Sequence, residues 1–267
     1  LNELLGTYDA WRAEGVEVGR AVVLRTFGSS PRREGAVLLV AADGRMIGSV
    51  SGGCVEAAAA AEVLEARKTG RSRVIRYGIS DEQAWGVGLA CGGTIDVLVE
   101  PSVPDAVLRA ARASLDGGAR GGAVVILRLP AGGGAATHPE LATAALGQPV
   151  FLSAGDLDVA PQTGTSRRGT PDRRLSDAAR AALESGRSQV VDLETGSVFI
   201  EAFPPQPRLV VVGATEVARH LVTFARGLGY ATIVIDPRTA FGARERFPNA
   251  DALVADWPEE AFAAVDV

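Results

Sequence analysis

The stretch Phe203-Pro204-Pro205-Gln206-Pro207-Arg208 constrains this chain more than any other. Proline fixes φ and lacks an amide donor, so a segment this rich in it sits in neither a helix nor a sheet interior and favours a stiff, extended linker. It also separates two patterns of sequence. After it, residues 209–212 read as a fully apolar strand, 216–227 as a helix, and 231–235 as a second apolar strand ending in Asp236, which together make a βαβ unit. One more strand is expected at 252–254. A doubly wound sheet needs more strands than this to cover both faces. The expected organisation is therefore an N-terminal mixed α+β domain over 1–203, a linker over 204–208, and a Rossmann-like domain over 209–267 that is incomplete in the chain shown.

The first 203 residues alternate short elements with glycine-bearing turns. A helix is expected over 1–15, with Leu4, Leu5, Tyr8 and Trp11 at helical spacing and Gly15 as its stop. Residues 16–27 read as β and end in the loop Gly28-Ser29-Ser30-Pro31-Arg32-Arg33-Glu34-Gly35. Strands at 36–41 and 45–50 join around Asp43-Gly44, a hairpin signal. Ser51-Gly52-Gly53 then leads into a helix over 54–68, where five consecutive alanines raise helix propensity and Gly70 ends it. A strand at 73–77, a capped turn at Ser80, a glycine-rich loop over 86–93, a strand at 94–99, a helix at 105–115 and a strand at 123–129 follow. The pattern weakens from 130 to 189, leaving a helix at 177–183 and a hairpin of 190–193 and 197–203.

Composition narrows the function classes. A net charge of −5 argues against nucleic acid as a default partner. Two cysteines make no disulfide framework. No apolar run approaches the ~20 residues of a membrane span, and Leu1-Asn2-Glu3-Leu4 is not a basic-then-apolar leader, so a soluble, cytoplasmic protein is expected. There is no C-x-x-C, H-E-x-x-H or G-x-S-x-G, and the two histidines, His138 and His220, fall in different domains. A conventional metal site or a histidine-based triad is not expected.

The chemistry concentrates in three loops. Cys54 stands at the expected start of a helix, where unpaired amides favour negative charge and make a thiol more nucleophilic. Gly52 and Gly53 let amides approach an anion closely, Ser51 adds a hydroxyl, and Glu56 adds a carboxylate one turn in. Cys91, in Gly88-Leu89-Ala90-Cys91-Gly92-Gly93, repeats the thiol beside a glycine pair. Arg32 and Arg33 form a candidate phosphate clamp. Each feature has a structural counterpart: a buried inert cysteine, a tight turn into a strand, a solvated hairpin mouth.

Taken in order, Gly28-Ser29-Ser30-Pro31-Arg32, then Gly48-Ser49-Val50-Ser51-Gly52-Gly53-Cys54-Val55-Glu56, then Gly88 to Gly93 resemble the XdhC/CoxI family, and Val211-Val212-Gly213-Ala214 with Ile235-Asp236-Pro237-Arg238 and Arg246-Phe247-Pro248 resembles its Rossmann-like half. The resemblance implies an accessory protein that binds molybdenum cofactor as cargo, assists its sulfuration and inserts it into an apo molybdenum hydroxylase of the xanthine dehydrogenase or carbon monoxide dehydrogenase type, with a cysteine desulfurase as a further partner and a homodimer as its assembly. It places Ser30, Arg32, Ser51, Gly52, Gly53, Cys54, Glu56, Cys91, Gly92 and Gly93 at the cofactor, with Cys54 and Cys91 toward the metal, a soft thiol suiting molybdenum or sulfur transfer. In the second half Gly213, Ala214, Ala218, Asp236 and Arg238 are the candidate nucleotide contacts. The fingerprint departs from G-x-G-x-x-G/A, since Thr215 stands at the second glycine, and Thr215-Glu216 replaces the Gly-His usual in the family. Two rival readings are an NAD(P)-dependent oxidoreductase using the second half, and an interaction scaffold whose glycine loops are only structural.

Overall fold

The structure is a computed structural model and describes residues 1–78, 92–116, 121–129, 147–159, 173–194, 196–239, 242 and 244–264. The chain forms two compact units. The first comprises Leu1–Ala113 and Gly122–Pro204, and the second Ser114–Gly121 and Pro205–Val267.

The first unit opens with helix α1 (Leu5–Ala13), strands β1 (Val18–Phe27), β2 (Val37–Ala41) and β3 (Met46–Gly48), helix α2 (Glu56–Thr69), and strands β4 (Arg73–Tyr77) and β5 (Thr94–Glu100). Together the strands make an antiparallel five-stranded sheet in the order β3-β2-β1-β5-β4. Period-2 alternation decides what each face meets. Ala21 and Val23 of β1, Leu38 and Val40 of β2, and Ile95, Val97 and Val99 of β5 pack under Ala59, Ala60, Val63 and Ala66 of α2. The small alanines let the helix lie close to the sheet, and Gly70, in the left-handed conformation at φ 68°, ends it. The other face of β1 carries Val22, Leu24 and Arg20, all buried. That double burial explains why β1 reads as a nearly continuous apolar run.

After α3 (Asp105–Asp116), the chain builds β6 (Ala123–Arg128), β7 (Val150–Ser153), α4 (Ala154–Val159), α5 (Arg173–Ser185), β8 (Gln189–Leu193) and β9 (Gly196–Phe203). These strands form a second antiparallel sheet, β7-β6-β9-β8, on which α5 buries Leu175, Ala179 and Ala182 against Val124, Ile126, Val198 and Ile200. β7 and α4 fall where the sequence pattern gives no element. They hold four and six residues, too few to show a period. A buried ion-pair group links the two sheets. Arg20 Nε donates to Glu100 Oε2 at 2.5 Å, and its Nη1 donates to Glu201 Oε1 and Oε2 at 2.8 and 3.0 Å. All three side chains are buried.

In the second unit β10 (Arg208–Val212), α6 (Glu216–Gly227), β11 (Ala231–Ile235), β12 (Ala252–Val254) and α7 (Pro258–Ala264) make a parallel three-stranded sheet in the order β10-β11-β12. Ala218 and Val222 of α6 pack with Val234 and Phe247, while Ala261 of α7 packs with Ile233 and Ile235. Alternate residues of β11 thus reach opposite cores, the arrangement of a doubly wound α/β sheet. The mixed α/β class and the Rossmann-like second half are as the sequence predicts; α7 is an addition to it. Among the described residues no helix is long and apolar enough to cross a membrane.

Candidate functional site

The loop between β3 and α2 is built around one side chain. Gly48 turns the chain at φ 93°, a conformation L-residues avoid, and a Cβ there would lie 2.3 Å from the Val37 carbonyl oxygen. Residues 49–55 then wrap the Glu56 carboxylate. Its Oε1 accepts from Ser49 Oγ at 2.7 Å and from the amides of Val50, Ser51 and Gly52 at 3.1, 2.9 and 3.1 Å. Its Oε2 accepts from Ser51 Oγ at 2.6 Å and from the amides of Gly53 and Val55 at 2.9 and 3.2 Å. Ser51 is buried, and its hydroxyl oxygen in turn accepts from the amides of Cys54 and Val55, both at 3.0 Å. Burial opposes ionisation of Glu56, but the hydroxyls of Ser51 and Ser49 and the loop amides outweigh it and bring the carboxyl down to about 2.

Two expectations change here. The helix begins at Glu56, so Cys54 lies in the turn before it rather than in its first turn. The amides expected to cradle an external anion are also already occupied by Glu56. Glu56, Ser51, Gly52 and Gly53 are thereby parts of one closed network, and what faces outward is Cys54, a free, exposed cysteine.

The arginine loop, residues 28–35, touches both glycine pairs. A Cβ on Gly52 would lie 3.3 Å from Pro31 Cγ, and one on Gly93 only 1.8 Å from the Ser29 carbonyl oxygen. Only glycine permits that second approach. Gly28 likewise sits opposite Gly93, a Cβ there lying 3.8 Å from Gly93 Cα. Glu34 fastens the loop to β1 by accepting from the Thr26 amide at 3.0 Å and the Thr26 hydroxyl at 2.6 Å. Ser30 donates to the Arg32 carbonyl at 2.8 Å, holding the turn. Arg32 and Arg33 are exposed, and Arg32 lines a cavity of about 270 Å³ with Gly35, Gly48 and Glu201. Ser30, Arg32, Ser51, Gly52, Gly53, Cys54, Gly92 and Gly93 are thus carried on three loops in contact. Cys91 and the turn at Ser80 lie outside the described residues, as does His138.

The second unit brings its five candidates together at the carboxyl end of β10, but joins them to one another. Gly213 takes φ 101°, the Thr215 hydroxyl caps α6 by accepting from the Ala218 amide at 3.2 Å, and the Ala214 amide donates to Asp236 Oδ2 at 2.7 Å. Arg238 closes on the same carboxylate through its amide, Nε and Nη2 at 2.9, 2.9 and 2.8 Å. The Arg238 guanidinium holds the Asp236 carboxyl well below the usual carboxylate range, against the effect of burial. An acidic residue that binds a ribose must offer free lone pairs to it. Asp236 accepts from Ala214 and Arg238 at both of its oxygens.

Sequence reasoning missed the triad of Arg20, Glu100 and Glu201. A signal was present: each shares its strand parity with buried apolar neighbours, Arg20 with Val18 and Val22, and Glu201 with Phe199 and Phe203. Among the described residues no group of three or more histidine, cysteine, aspartate or glutamate side chains is placed to hold a metal ion.

Residues 11–78 match the XdhC and CoxI family, and residues 209–266 match the XdhC Rossmann domain. The two matches lie on either side of the proline-rich linker. The first match spans the arginine loop and the whole network around Cys54. Among related proteins, one from Bacillus subtilis (strain 168), described as a probable xanthine dehydrogenase subunit, is 28% identical over 257 residues, 94% of this chain and 69% of that protein. The molybdenum cofactor insertion chaperone PaoD of Escherichia coli (strain K12) is 47% identical over 87 residues, which are 31% of this chain and 27% of the chaperone. A crystal structure described as a xanthine dehydrogenase from Bacillus halodurans superposes with a TM-score of 0.69 at 24% identity, covering 100% of this chain and 71% of that one. That likeness is one of fold.

Proposed function

We propose that this protein is a molybdenum cofactor insertion chaperone serving a molybdenum hydroxylase of the xanthine dehydrogenase type, and that it acts by binding rather than by catalysis. The single observation that carries the reading is the contact of one arginine loop with two glycine loops: the loop bearing the exposed Arg32 and Arg33 meets Gly52 in the hydrogen-bonded turn that presents the exposed thiol of Cys54, and meets Gly93 on its other side. The cargo is a pterin with an anionic phosphate and a thiophilic metal. Cys54 offers soft sulfur to the metal, and guanidinium groups suit the phosphate. Cys91, which precedes Gly92-Gly93 in the sequence, is the candidate second thiol. The E. coli relative named for cofactor insertion supports the reading through its 47% identity. Sulfuration of the cargo, with a cysteine desulfurase as sulfur source, and action as a homodimer are finer parts of the same proposal.

The chain's own residues divide the work. Ser51 and Glu56 hold the turn, Cys54 presents its sulfur, Arg32 and Arg33 attract the anionic end, and the glycines let three loops approach within contact distance. The test is co-purification from a cell that makes the cofactor. Molybdenum and pterin fluorescence should accompany the protein, and the loaded protein should activate an apo-hydroxylase; protein free of both, and inert toward the apoenzyme, contradicts the proposal.

A further inference from the structure

Glycine turns that precede a helix bind anions because successive amides point at one spot. In this chain that spot is filled from within. Seven hydrogen bonds converge on the Glu56 carboxylate from Ser49, Val50, Ser51, Gly52, Gly53 and Val55. A carboxylate offers about four lone-pair sites, so some of these bonds share one, and nothing is left over for a ligand. The remaining amide of the turn, that of Cys54, is held by the Ser51 hydroxyl. Every backbone amide from Val50 to Val55 is therefore satisfied by Glu56 or by a hydroxyl that Glu56 itself holds.

We propose that Glu56 is a positioning residue: its carboxylate takes the place of a bound anion, fixes residues 49–55 around itself, and so holds Cys54 at the surface in a defined place. The proposal rests on the reading of Cys54 as the cargo contact. It also reassigns the anion-binding task. With the glycine amides occupied, the negatively charged end of the cargo goes to the guanidinium groups of Arg32 and Arg33, on the loop whose Pro31 touches Gly52. A glutamine at 56 cannot replace the carboxylate, because its NH2 group would confront the donors that now meet Oε1 or Oε2. An aspartate keeps the charge but is one methylene shorter.

The test compares wild type with Glu56→Gln, Glu56→Ala and Glu56→Asp in the full chain, by amide hydrogen exchange over residues 50–55 and by molybdenum bound per chain after expression in a cofactor-producing cell. In Glu56→Gln and Glu56→Ala, exchange in the loop should quicken by about tenfold or more, the loss expected when charged hydrogen bonds are removed, while the strands keep their protection. Added formate, a free carboxylate, should restore protection in Glu56→Ala and leave wild type unchanged. Bound molybdenum should fall in Glu56→Gln although Cys54 is intact, and recover in part in Glu56→Asp. Unchanged loop exchange in Glu56→Gln overturns the proposal, as does rapid loop exchange with wild-type molybdenum content. Wild-type protein that carries no molybdenum would instead sink the chaperone reading, and the formate response then decides by itself whether Glu56 holds the loop. Should Glu56→Gln fold poorly, Ser51→Ala, which removes one hydroxyl from the same carboxylate, should shift loop exchange in the same direction.

Discussion

Arg20 shows how single residues hold the first unit together. Its guanidinium is buried between Glu100 and Glu201, so removing it leaves two carboxylates without a counter-charge. Arg20→Met should destabilise by about 3–5 kcal/mol, measurable by urea unfolding. Glu100 behaves differently, because burial raises its carboxyl above the usual range in spite of Arg20. A raised acid binds more protons folded than unfolded, so between its unfolded and folded values stability falls as pH rises. Glu100→Gln should flatten that acidic-side slope while costing much less than Arg20→Met. Glu56 has the opposite sign. Its carboxyl is lowered to about 2, so its contribution is fully present above the ordinary glutamate value near 4.5 and is lost as pH falls through about 2. Little of this could be read in the sequence. Cys54, Ser51 and Glu56 could be recognised as one unit, but the direction in which Glu56 points could not, since a glutamate in a first turn ordinarily serves the helix dipole in solvent. Here it bends back over the turn that precedes it.

At the scale of elements, glycines decide how closely loops approach. Gly93→Ala would drive a methyl into the Ser29 carbonyl, a backbone atom that cannot yield without moving the arginine loop. A cost of about 2 kcal/mol or more is expected, with thermal unfolding as the measure. Gly44→Ala, at φ 91° but facing open space, should cost only about 1 kcal/mol. Elements with a strong period were legible to within two residues: the sequence reading of 73–77 for β4, 216–227 for α6 and 231–235 for β11 coincides with the structure. α2 starts two residues later than the alanine run suggests, because Ser51 and Glu56 hold Cys54 and Val55 in the turn. β7, α4 and α7 were not legible, being too short for hydrophobic spacing to mark them, and α5 is longer than its apolar positions alone imply.

Over the whole molecule, the two units use charge in different ways. The first presents an exposed thiol and exposed arginines on loops that contact one another. The second turns its one fingerprint acid inward, where Asp236 is taken by Ala214 and Arg238. Calorimetry with NAD+ and NADP+ should accordingly give no binding at millimolar nucleotide, and saturable binding would revive the oxidoreductase reading. The resemblance among the motifs, rather than periodicity, is what pointed to cofactor handling. The measurement that bears most directly on it is the molybdenum and pterin content of the purified wild-type protein beside its Cys54→Ser variant, both expressed in a cell that makes the cofactor. The expected result is cargo on the wild type and at least a tenfold loss on Cys54→Ser, about 1.4 kcal/mol or more of binding, with the fold intact by circular dichroism. Equal cargo on both proteins, or none on either, would contradict a chaperone that holds its cofactor through the Cys54 loop.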